Sequence, residues 1–325
     1  MPSLADESPR VEPGGLTVER VVVASPRGYC AGVVRAVEIV ERALARWGPP
    51  IYERKQIVHK RHVVRDLERR AAVFVQTETD IPRGARGIFS AHGVAPSVRE
   101  NASGRDLQIV DATCPLVSKV HAEARRYAAQ GYTLVIIGHA GHEEIEGTMG
   151  EAPESSVLVE STADVERIEP RRTDRLVYLM QTTLSVDESR EIVEALRRRF
   201  PLIVGPHKAD ICYATTNRQA AAKALADVTD VLLVVGSENS SNSNRLAEAA
   251  RSRGAAAYLI DDSSAIDEAW LQNVEVVGLT AGASAPEALV IEVCDWFRAR
   301  GVVDIRELSG VVEDVVFRLP PGLRS

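Results

Sequence analysis

Three of the four cysteines in this 325-residue chain begin three similar sequence segments. Cys30, Cys114 and Cys212 each lie in a short loop close to Gly, Pro or Asp, and each precedes a stretch with helical periodicity. The N-terminus of a helix stabilises a thiolate, which is the form of cysteine that binds metals. Three thiols at equivalent positions in three segments therefore predict a shared metal centre.

An iron–sulfur cluster is the metal centre that these cysteines favour. Clusters held only by protein usually take four cysteines, so three thiols would leave one iron open for chemistry. Zinc is the alternative, but zinc sites normally contain closely spaced cysteine pairs, and the chain has no CxxC motif. The fourth cysteine, Cys294, lies inside an amphipathic helical stretch, where we expect it to pack as a small apolar residue.

Polar residues recur at similar distances after each of the three cysteines. At offsets of 29, 28 and 30, and then of 62, 68 and 72 residues, come His59, His142, Asn242, His92, Thr182 and Ser284. Imidazole, amide and hydroxyl groups that converge at strand ends suit an anion such as a phosphate or diphosphate. Ser240 and Ser241 add hydroxyl donors, although Ser and Asn are equally typical of a plain helix N-cap. The pattern predicts an anion pocket beside the metal centre.

One carboxylate in this set could move protons. Glu144 follows His142 by two residues, and burial in a closed polar pocket would tune its pKa for proton transfer. Its neighbours Glu143 and Glu146 could be surface charges or could take that role instead. Thr182 could orient a substrate hydroxyl or a water, whereas we expect Thr183 to cap the following helix.

These residues must be positioned by strands that alternate with helices. Short β-branched runs ending in Gly or Ser separate amphipathic helical stretches, which predicts βαβ units, parallel or mixed sheets, and ligands at the carboxyl ends of strands. The repeat is too long for a solenoid, so we expect three similar α/β modules in pseudo-threefold arrangement around one central site. The expected division is a disordered leader at 1–17, modules at 18–104, 105–199 and 200–310, and a closing strand with a tail at 311–325.

The composition excludes several classes of protein. The net charge of -7 gives no electrostatic footprint for nucleic acid. No apolar run approaches the roughly 18–20 residues of a membrane span, and the acidic, Pro/Gly-rich start lacks the pattern of a secretion signal. We therefore expect a cytoplasmic protein without disulfide bonds, since thiols stay reduced there.

Nine segments in order carry a family resemblance from about residue 20 to about residue 318: PRGYCAGV, IVHKRHVV, FSAHGV, DATCPLVSKVH, GHEEIEGTMG, QTTLS, ICYATTNRQ, GSENSSNSNRL and TAGASAP. The chain resembles the 4-hydroxy-3-methylbut-2-enyl diphosphate reductases, which catalyse the last step of the non-mevalonate isoprenoid pathway. Two positions depart from the family pattern: Glu143 stands where Pro is common, and Val34 where Asp is common. The first departure leaves open which carboxylate carries the proton.

The resemblance implies a fold, a cofactor and a role for each site residue. The implied fold is a trefoil of three α/β domains around one [4Fe–4S] cluster held by Cys30, Cys114 and Cys212. The implied diphosphate ligands are His59, His92, His142, Ser240, Ser241, Asn242 and Ser284. Thr182 would bind the substrate hydroxyl and Glu144 would deliver the proton. The implied electron donor is ferredoxin or flavodoxin, and the implied products are isopentenyl and dimethylallyl diphosphate.

Two other functions use the same thiols. One is a hydro-lyase whose cluster acts as a Lewis acid without net electron transfer. The other is a non-catalytic iron–sulfur sensor, which would not need the pocket histidines.

Overall fold

The computed structural model describes residues 16–58, 60–170 and 172–324. Most of the expected leader at 1–17 lies outside these residues, and His59 lies outside them as well. The described residues contain twelve strands: β1 Arg20–Ala24, β2 Ile51–Arg54, β3 Ala72–Val75, β4 Arg86–Phe89, β5 Gln108–Asp111, β6 Thr133–Ile137, β7 Ser156–Val159, β8 Leu176–Met180, β9 Val231–Val235, β10 Ala256–Ile260, β11 Val276–Ala281 and β12 Asp304–Leu308.

Within the same described residues, ten α-helices accompany these strands. They are α1 Ala31–Trp47, α2 Arg61–Arg69, α3 Pro96–Gly104, α4 Pro115–Ala129, α5 Glu143–Gly150, α6 Thr162–Arg167, α7 Val186–Arg199, α8 Tyr213–Ala226, α9 Ser241–Arg251 and α10 Glu287–Arg298. Helices and strands alternate along most of the chain, as the sequence pattern predicts.

The strands form three separate sheets, and every pair of neighbouring strands is parallel. The strand orders are β10-β9-β11-β1-β12, β3-β2-β4-β5 and β7-β6-β8. Parallel strands need crossover connections, which the helices supply, so both faces of such sheets become covered. The predicted α/β class with three modules is confirmed.

Two strands pair across the expected module boundaries. β1 lies within the expected first module but pairs with β11 and β12, and β5 lies within the expected second module but pairs with β4. Helix α1 therefore crosses from one sheet to another. The division at residues 104, 199 and 310 stays a prediction.

Each sheet has its own apolar core. In the largest sheet, β9 is buried along its whole length and packs with β11 against α10, where Phe297 is fully buried. Val135 and Leu176 lie in the core between the three-stranded sheet and α7, and Ile51 and Ile88 in that beside α1. Strands buried on both faces explain the continuous Val, Ile and Leu runs of the sequence.

Two β-branched runs that resemble strands in the sequence do not form strands. Residues 202–205 make only an isolated bridge between Val177 and Val204. The expected closing strand at 311–325 is absent from the described residues 311–324, and the last strand is instead β12. The prolines at 320 and 321 lack the N–H that a ladder needs, and Val312 and Val316 are exposed rather than packed. Among the described helices, none has the length and hydropathy needed to cross a membrane.

Candidate active site

The three cysteines occupy the same local position in three helices. Cys30, Cys114 and Cys212 are the N-cap residues of α1, α4 and α8, respectively. All three side chains line one cavity of about 110 Å³. Three helix N-termini therefore lie at this cavity. The backbone N–H groups at each helix start carry partial positive charge. The sequence prediction that each cysteine precedes a helix and that the three thiols converge is confirmed by this geometry.

Two buried arginines hold the loops that carry the cysteines. Arg35 donates to the carbonyl oxygens of Ala112 and Thr113 at 3.0 and 3.1 Å, just before Cys114. Arg218 donates in the same way to the carbonyls of residues 28 and 29 at 3.0 and 3.2 Å, just before Cys30. Charged hydrogen bonds inside a protein are strong, so these contacts fix both loops.

Gly32 leaves space between two of the thiols. A Cβ atom added at this position would lie 2.9 Å from Sγ of Cys114 and 3.7 Å from Sγ of Cys30. Any larger residue would therefore fill the space in front of both sulfur atoms. The missing side chain keeps the thiols accessible to a bound group.

Burial controls the protonation of the thiols in the absence of a metal. It raises the pKa of Cys114 to about 12 and that of Cys212 to about 11. Backbone N–H groups at the helix starts and a hydrogen bond from Thr215 act in the opposite direction but are weaker. The thiols of Cys114 and Cys212 therefore stay neutral until a cation or cluster displaces their protons.

The polar site residues that were predicted from the sequence lie around the same cavity. The lining includes His92, His142, Glu144, Thr182, Ser240, Ser241, Asn242 and Ser284. His92, Thr182 and Ser284 follow β4, β8 and β11, while the others stand at or near the starts of α5 and α9. His59 lies outside the described residues. Every other predicted site residue contributes to one cavity at the carboxyl ends of strands, as expected for a parallel sheet.

His142 is neutral in the free cavity. It is the N-cap of α5, and its Nδ1 accepts the backbone N–H of Glu144 at 3.2 Å, which leaves the ring proton on Nε2. Burial, reinforced by the neighbouring His92, lowers the pKa of His142 to about 3. The two imidazole rings are in edge contact, with centroids 5.8 Å apart.

Glu144 is a buried acid bound to Thr182. Its carboxylate accepts the backbone N–H of Thr182 at 2.6 Å and the Oγ1 hydroxyl at 3.0 Å. Burial raises the pKa of Glu144 to about 7, although the two hydrogen bonds from Thr182 favour the ionised form. A carboxyl group that titrates near neutrality, with one face towards the cavity, is suited to donate a proton.

Glu143 is not one of the described residues that line the cavity. Its carboxylate accepts the Ser90 hydroxyl at 3.2 Å and lies 3.5 Å from Nδ1 of His92 and 3.9 Å from Nζ of Lys55. Glu146, one turn further along α5, is an exposed partner of Lys55 at 3.1 Å. Of the three acidic residues, only Glu144 reaches the cavity.

The third module contributes a connected set of hydroxyl and amide groups. Ser240 caps α9 by accepting the N–H of Ser243, so the plain capping role and the cavity position coexist. Asn242 Oδ1 accepts the backbone N–H of Ala283 at 2.7 Å, and its amide donates to Thr215 Oγ1 at 3.4 Å. The Asn242 side chain thus ties the start of α9 to the loop that carries Ser284.

The sequence analysis did not predict the contribution of Thr215, Thr183 and Phe317 to the cavity. Thr215 lies one turn into α8, with Oγ1 3.1 Å from Sγ of Cys212. Thr183 donates to Oγ of Ser241 at 3.1 Å and does not cap α7, whose N-cap is Ser185, so that expectation is wrong. Phe317 comes from the irregular C-terminal segment. The i+3 spacing of Thr215 from Cys212 is the one signal that could have been read from the sequence.

A family model and curated relatives match almost the whole chain. The model described as LytB protein matches residues 21–298. A 4-hydroxy-3-methylbut-2-enyl diphosphate reductase from Acidothermus cellulolyticus is 54% identical over 310 residues, which cover 95% of this chain and 91% of the relative. A protein of the same name from Cronobacter sakazakii is 55% identical over 308 residues, which cover 94% of this chain and 98% of the relative.

Two solved structures have a similar fold. The E-1-hydroxy-2-methyl-but-2-enyl-4-diphosphate reductase from Plasmodium falciparum superposes with a TM-score of 0.90 at 36% identity, covering 94% of this chain and 97% of that structure. A second structure, titled as the terminal enzyme of the non-mevalonate pathway, gives a TM-score of 0.62 at 28% identity over 87% of this chain and all of the other. The chain therefore belongs to the LytB protein family of 4-hydroxy-3-methylbut-2-enyl diphosphate reductases.

Proposed function

We propose that this oxidoreductase removes the hydroxyl group of (E)-4-hydroxy-3-methylbut-2-enyl diphosphate to give isopentenyl and dimethylallyl diphosphate. The reaction takes up two electrons and two protons and releases water. The supporting observation is that three thiols, a buried acid and a set of anion-binding groups line one cavity. The relatives that carry this name match the chain over nearly its full length.

The donor set suits an iron–sulfur cluster better than a single metal ion. Among the described residues, no three His, Cys, Asp or Glu side chains are arranged to bind one ion, yet three thiols share the cavity that Gly32 keeps open. We infer that Cys30, Cys114 and Cys212 hold a [4Fe–4S] cluster. When bound, such a cluster supplies electrons and one iron without a protein ligand, which is open to the substrate hydroxyl.

The remaining lining residues fit the two ends of the substrate. The starts of α5 and α9 offer backbone N–H groups, imidazoles and hydroxyls to a diphosphate. The ligands proposed for it are His59, His92, His142, Ser240, Ser241, Asn242 and Ser284. Thr182 would bind the hydroxyl end, because it lines the cavity and its Oγ1 donates to the carboxylate of Glu144, which lines the same cavity. Glu144, protonated through burial, would deliver a proton.

The electrons must come from a partner. A ferredoxin or flavodoxin is proposed from the family resemblance, and a cytoplasmic location is proposed separately. Either donor is acidic, so a local basic patch would be needed to steer it to this negatively charged chain.

Replacement of Cys114 by Ser tests the cluster and the reaction together. We expect the anaerobically purified variant to lose iron, sulfide, the brown absorbance and turnover, because Cys114 lines the cavity beside the other two thiols. Cys294→Ser is the matched control, since Cys294 is buried in α10 away from the cavity and should keep all four properties.

Two results would contradict the proposal. A colourless Cys114→Ser variant that still turns over substrate would exclude the cluster as the reactive group. Turnover of the wild type without any reductant would favour a hydro-lyase.

A further inference from the structure

A second cavity adjoins the one that contains the three thiols. It has a volume of about 230 Å³ and is lined by residues from the starts of α1 and α8 and from the C-terminal segment. Val316 lines it and is 87% exposed, so this second cavity lies at the protein surface. Two described residues, Tyr213 and Phe317, line both cavities. These two aromatic residues therefore belong to the wall that the surface cavity and the active-site cavity share.

The shared wall lies at the end of the active-site cavity where two of the thiols are. Tyr213 directly follows Cys212, and its hydroxyl oxygen accepts the backbone N–H of Ala31 at 3.3 Å. Ala31 and Tyr29, the two neighbours of Cys30 in the chain, both line the surface cavity. The surface cavity is thus built around the helix starts that carry Cys30 and Cys212.

The two buried arginines that hold the cysteine loops also hold the segment that carries Phe317. The described residues 311–320 form neither helix nor strand, so side-chain contacts must fix their path. The Glu313 carboxylate accepts from the guanidinium of Arg218 at 3.0 and 3.1 Å. The backbone carbonyl of Arg318 accepts from Nε of Arg35 at 2.9 Å. Charged hydrogen bonds of this kind are strong inside a protein, and they fix the segment on both sides of Phe317.

Apolar packing fixes the same segment further along the chain. Leu323 is buried in the core beside α1, and Leu319 packs against that core. The residues just before Phe317 have the opposite environment, because Val315 and Val316 are exposed. Phe317 is the residue of this segment that lines the active-site cavity. The segment therefore presents one aromatic side chain to the thiols and its valines to the solvent.

We propose that residues 313–318 cover the thiol end of the active-site cavity, and that the Phe317 ring limits the passage of water and small solutes from the surface cavity to a group bound there. Apolar residues around a metal centre control the access of solvent to it. Thiolate-bound metals are lost when protons or competing ligands reach them, so such a cover would retain the bound group. The role in retention rests on the proposed function, whereas the role as a barrier concerns the protein alone.

Phe317→Ala tests whether the cover retains the bound group. We measure the loss of brown absorbance and the transfer of iron to EDTA in the anaerobically purified, full-length protein. Removal of the ring would join the two cavities, so we expect both rates to rise several-fold. Phe317→Leu keeps an apolar side chain in the wall and should restore rates close to those of the wild type. Val316→Ala is the matched control, because Val316 lines the surface cavity but not the active-site cavity.

Thiol labelling tests the barrier without any cluster. The metal-free, full-length protein is treated with iodoacetamide, and the rate of alkylation at each cysteine is read by mass spectrometry. In Phe317→Ala we expect Cys30 and Cys212 to be alkylated several-fold faster than in the wild type, because both lie at the shared wall. Cys294 is buried in α10 and reports on general unfolding, so its rate should not change.

The outcomes separate the cover from the function on which its retention role rests. Unchanged alkylation of Cys30 and Cys212 in Phe317→Ala would overturn the cover, and so would an equal acceleration at Cys294, which would indicate a general loosening of the fold. Val316→Ala rates as high as those of Phe317→Ala would also contradict a specific role for the ring. A wild type that binds no iron, combined with faster alkylation in Phe317→Ala, would overturn the proposed cluster and the retention role but support the barrier.

Discussion

Glu144→Gln separates the acidity of this residue from its shape. The Gln amide oxygen can still accept the backbone N–H of Thr182, and its amide N–H can donate to Oγ1 of the same residue, which replaces the two contacts of 2.6 and 3.0 Å. Fold and substrate binding should therefore be kept while the acidic proton is lost. General acid catalysis contributes about 10²–10⁴-fold, so we expect kcat to fall by that factor with KM unchanged.

The wild-type pH profile follows from the same burial. Burial raises the pKa of Glu144 to about 7, and the protonated form is the one that donates. Above about pH 7, kcat should fall by about tenfold for each further pH unit as that form is depleted. His92 lowers this pKa and Asp210 raises it, and a bound diphosphate adds negative charge that moves the decline to higher pH. The decline should therefore begin at or above neutrality.

The pH dependence of the free energy of unfolding gives an independent measure of the pKa of Glu144. The folded-state pKa of Glu144 is about 7 against 4.5 for the unperturbed group, a difference worth ~3 kcal/mol. Because the folded-state value is the higher one, the stabilising contribution is complete below about pH 4.5 and is lost as pH rises to about 7. Glu144→Gln lacks this dependence. Urea unfolding of both proteins at several pH values should show their free energies of unfolding diverge across this range.

Three results would refute the reasoning about Glu144. Full turnover by Glu144→Gln would exclude it as the proton donor. A wild-type kcat that already declines below about pH 6 would contradict a raised pKa. If Glu144→Gln were active and Glu143→Gln lacked even a single turnover, Glu143 would be the donor, and its side chain would have to enter the cavity in the complex.

Two substitutions test how the cysteine loops are held. Gly32→Ala would place a Cβ atom 2.9 Å from Sγ of Cys114, and we expect a folded protein, by circular dichroism, with several-fold less iron per chain. Arg218→Met would leave Glu313 and two buried carbonyls without their partner, so we expect urea unfolding to show a loss of about 3–5 kcal/mol. Arg253→Met, which breaks an exposed ion pair, should cost about 0–1 kcal/mol, and equal losses would contradict both assignments.

Local features of the site could be predicted from the sequence. The three cysteines are N-caps of helices because each stands between a loop residue and a run with helical periodicity, and that pattern is readable one segment at a time. The polar residues at strand ends converge because parallel strands bring their carboxyl ends to one edge. The helical periodicity and the parallel arrangement of the strands thus predict most of the polar residues that line the central cavity.

Features that depend on distant contacts could not be predicted in this way. β1 pairs with strands more than 250 residues away, and no local pattern specifies that choice. The irregular segment that carries Phe317 looks like a strand by its valines, but Glu313 pairs with Arg218 and the carbonyl of Arg318 accepts from Arg35. A partner that lies far along the chain decides the conformation in each case.

One physical cause sets the charge state of the central cavity. Burial raises the pKa of Glu144 and of Cys114 and lowers that of His142, so each of these groups is neutral near pH 7 or just below it. No lysine or arginine occurs among the described residues that line the cavity. The positive potential that an anionic substrate meets must then come from helix N-termini, whose N–H groups stay oriented at any pH. Proton transfer in this site would therefore leave the attraction of an anion unchanged, because oriented N–H groups and not an ionised side chain would supply that attraction.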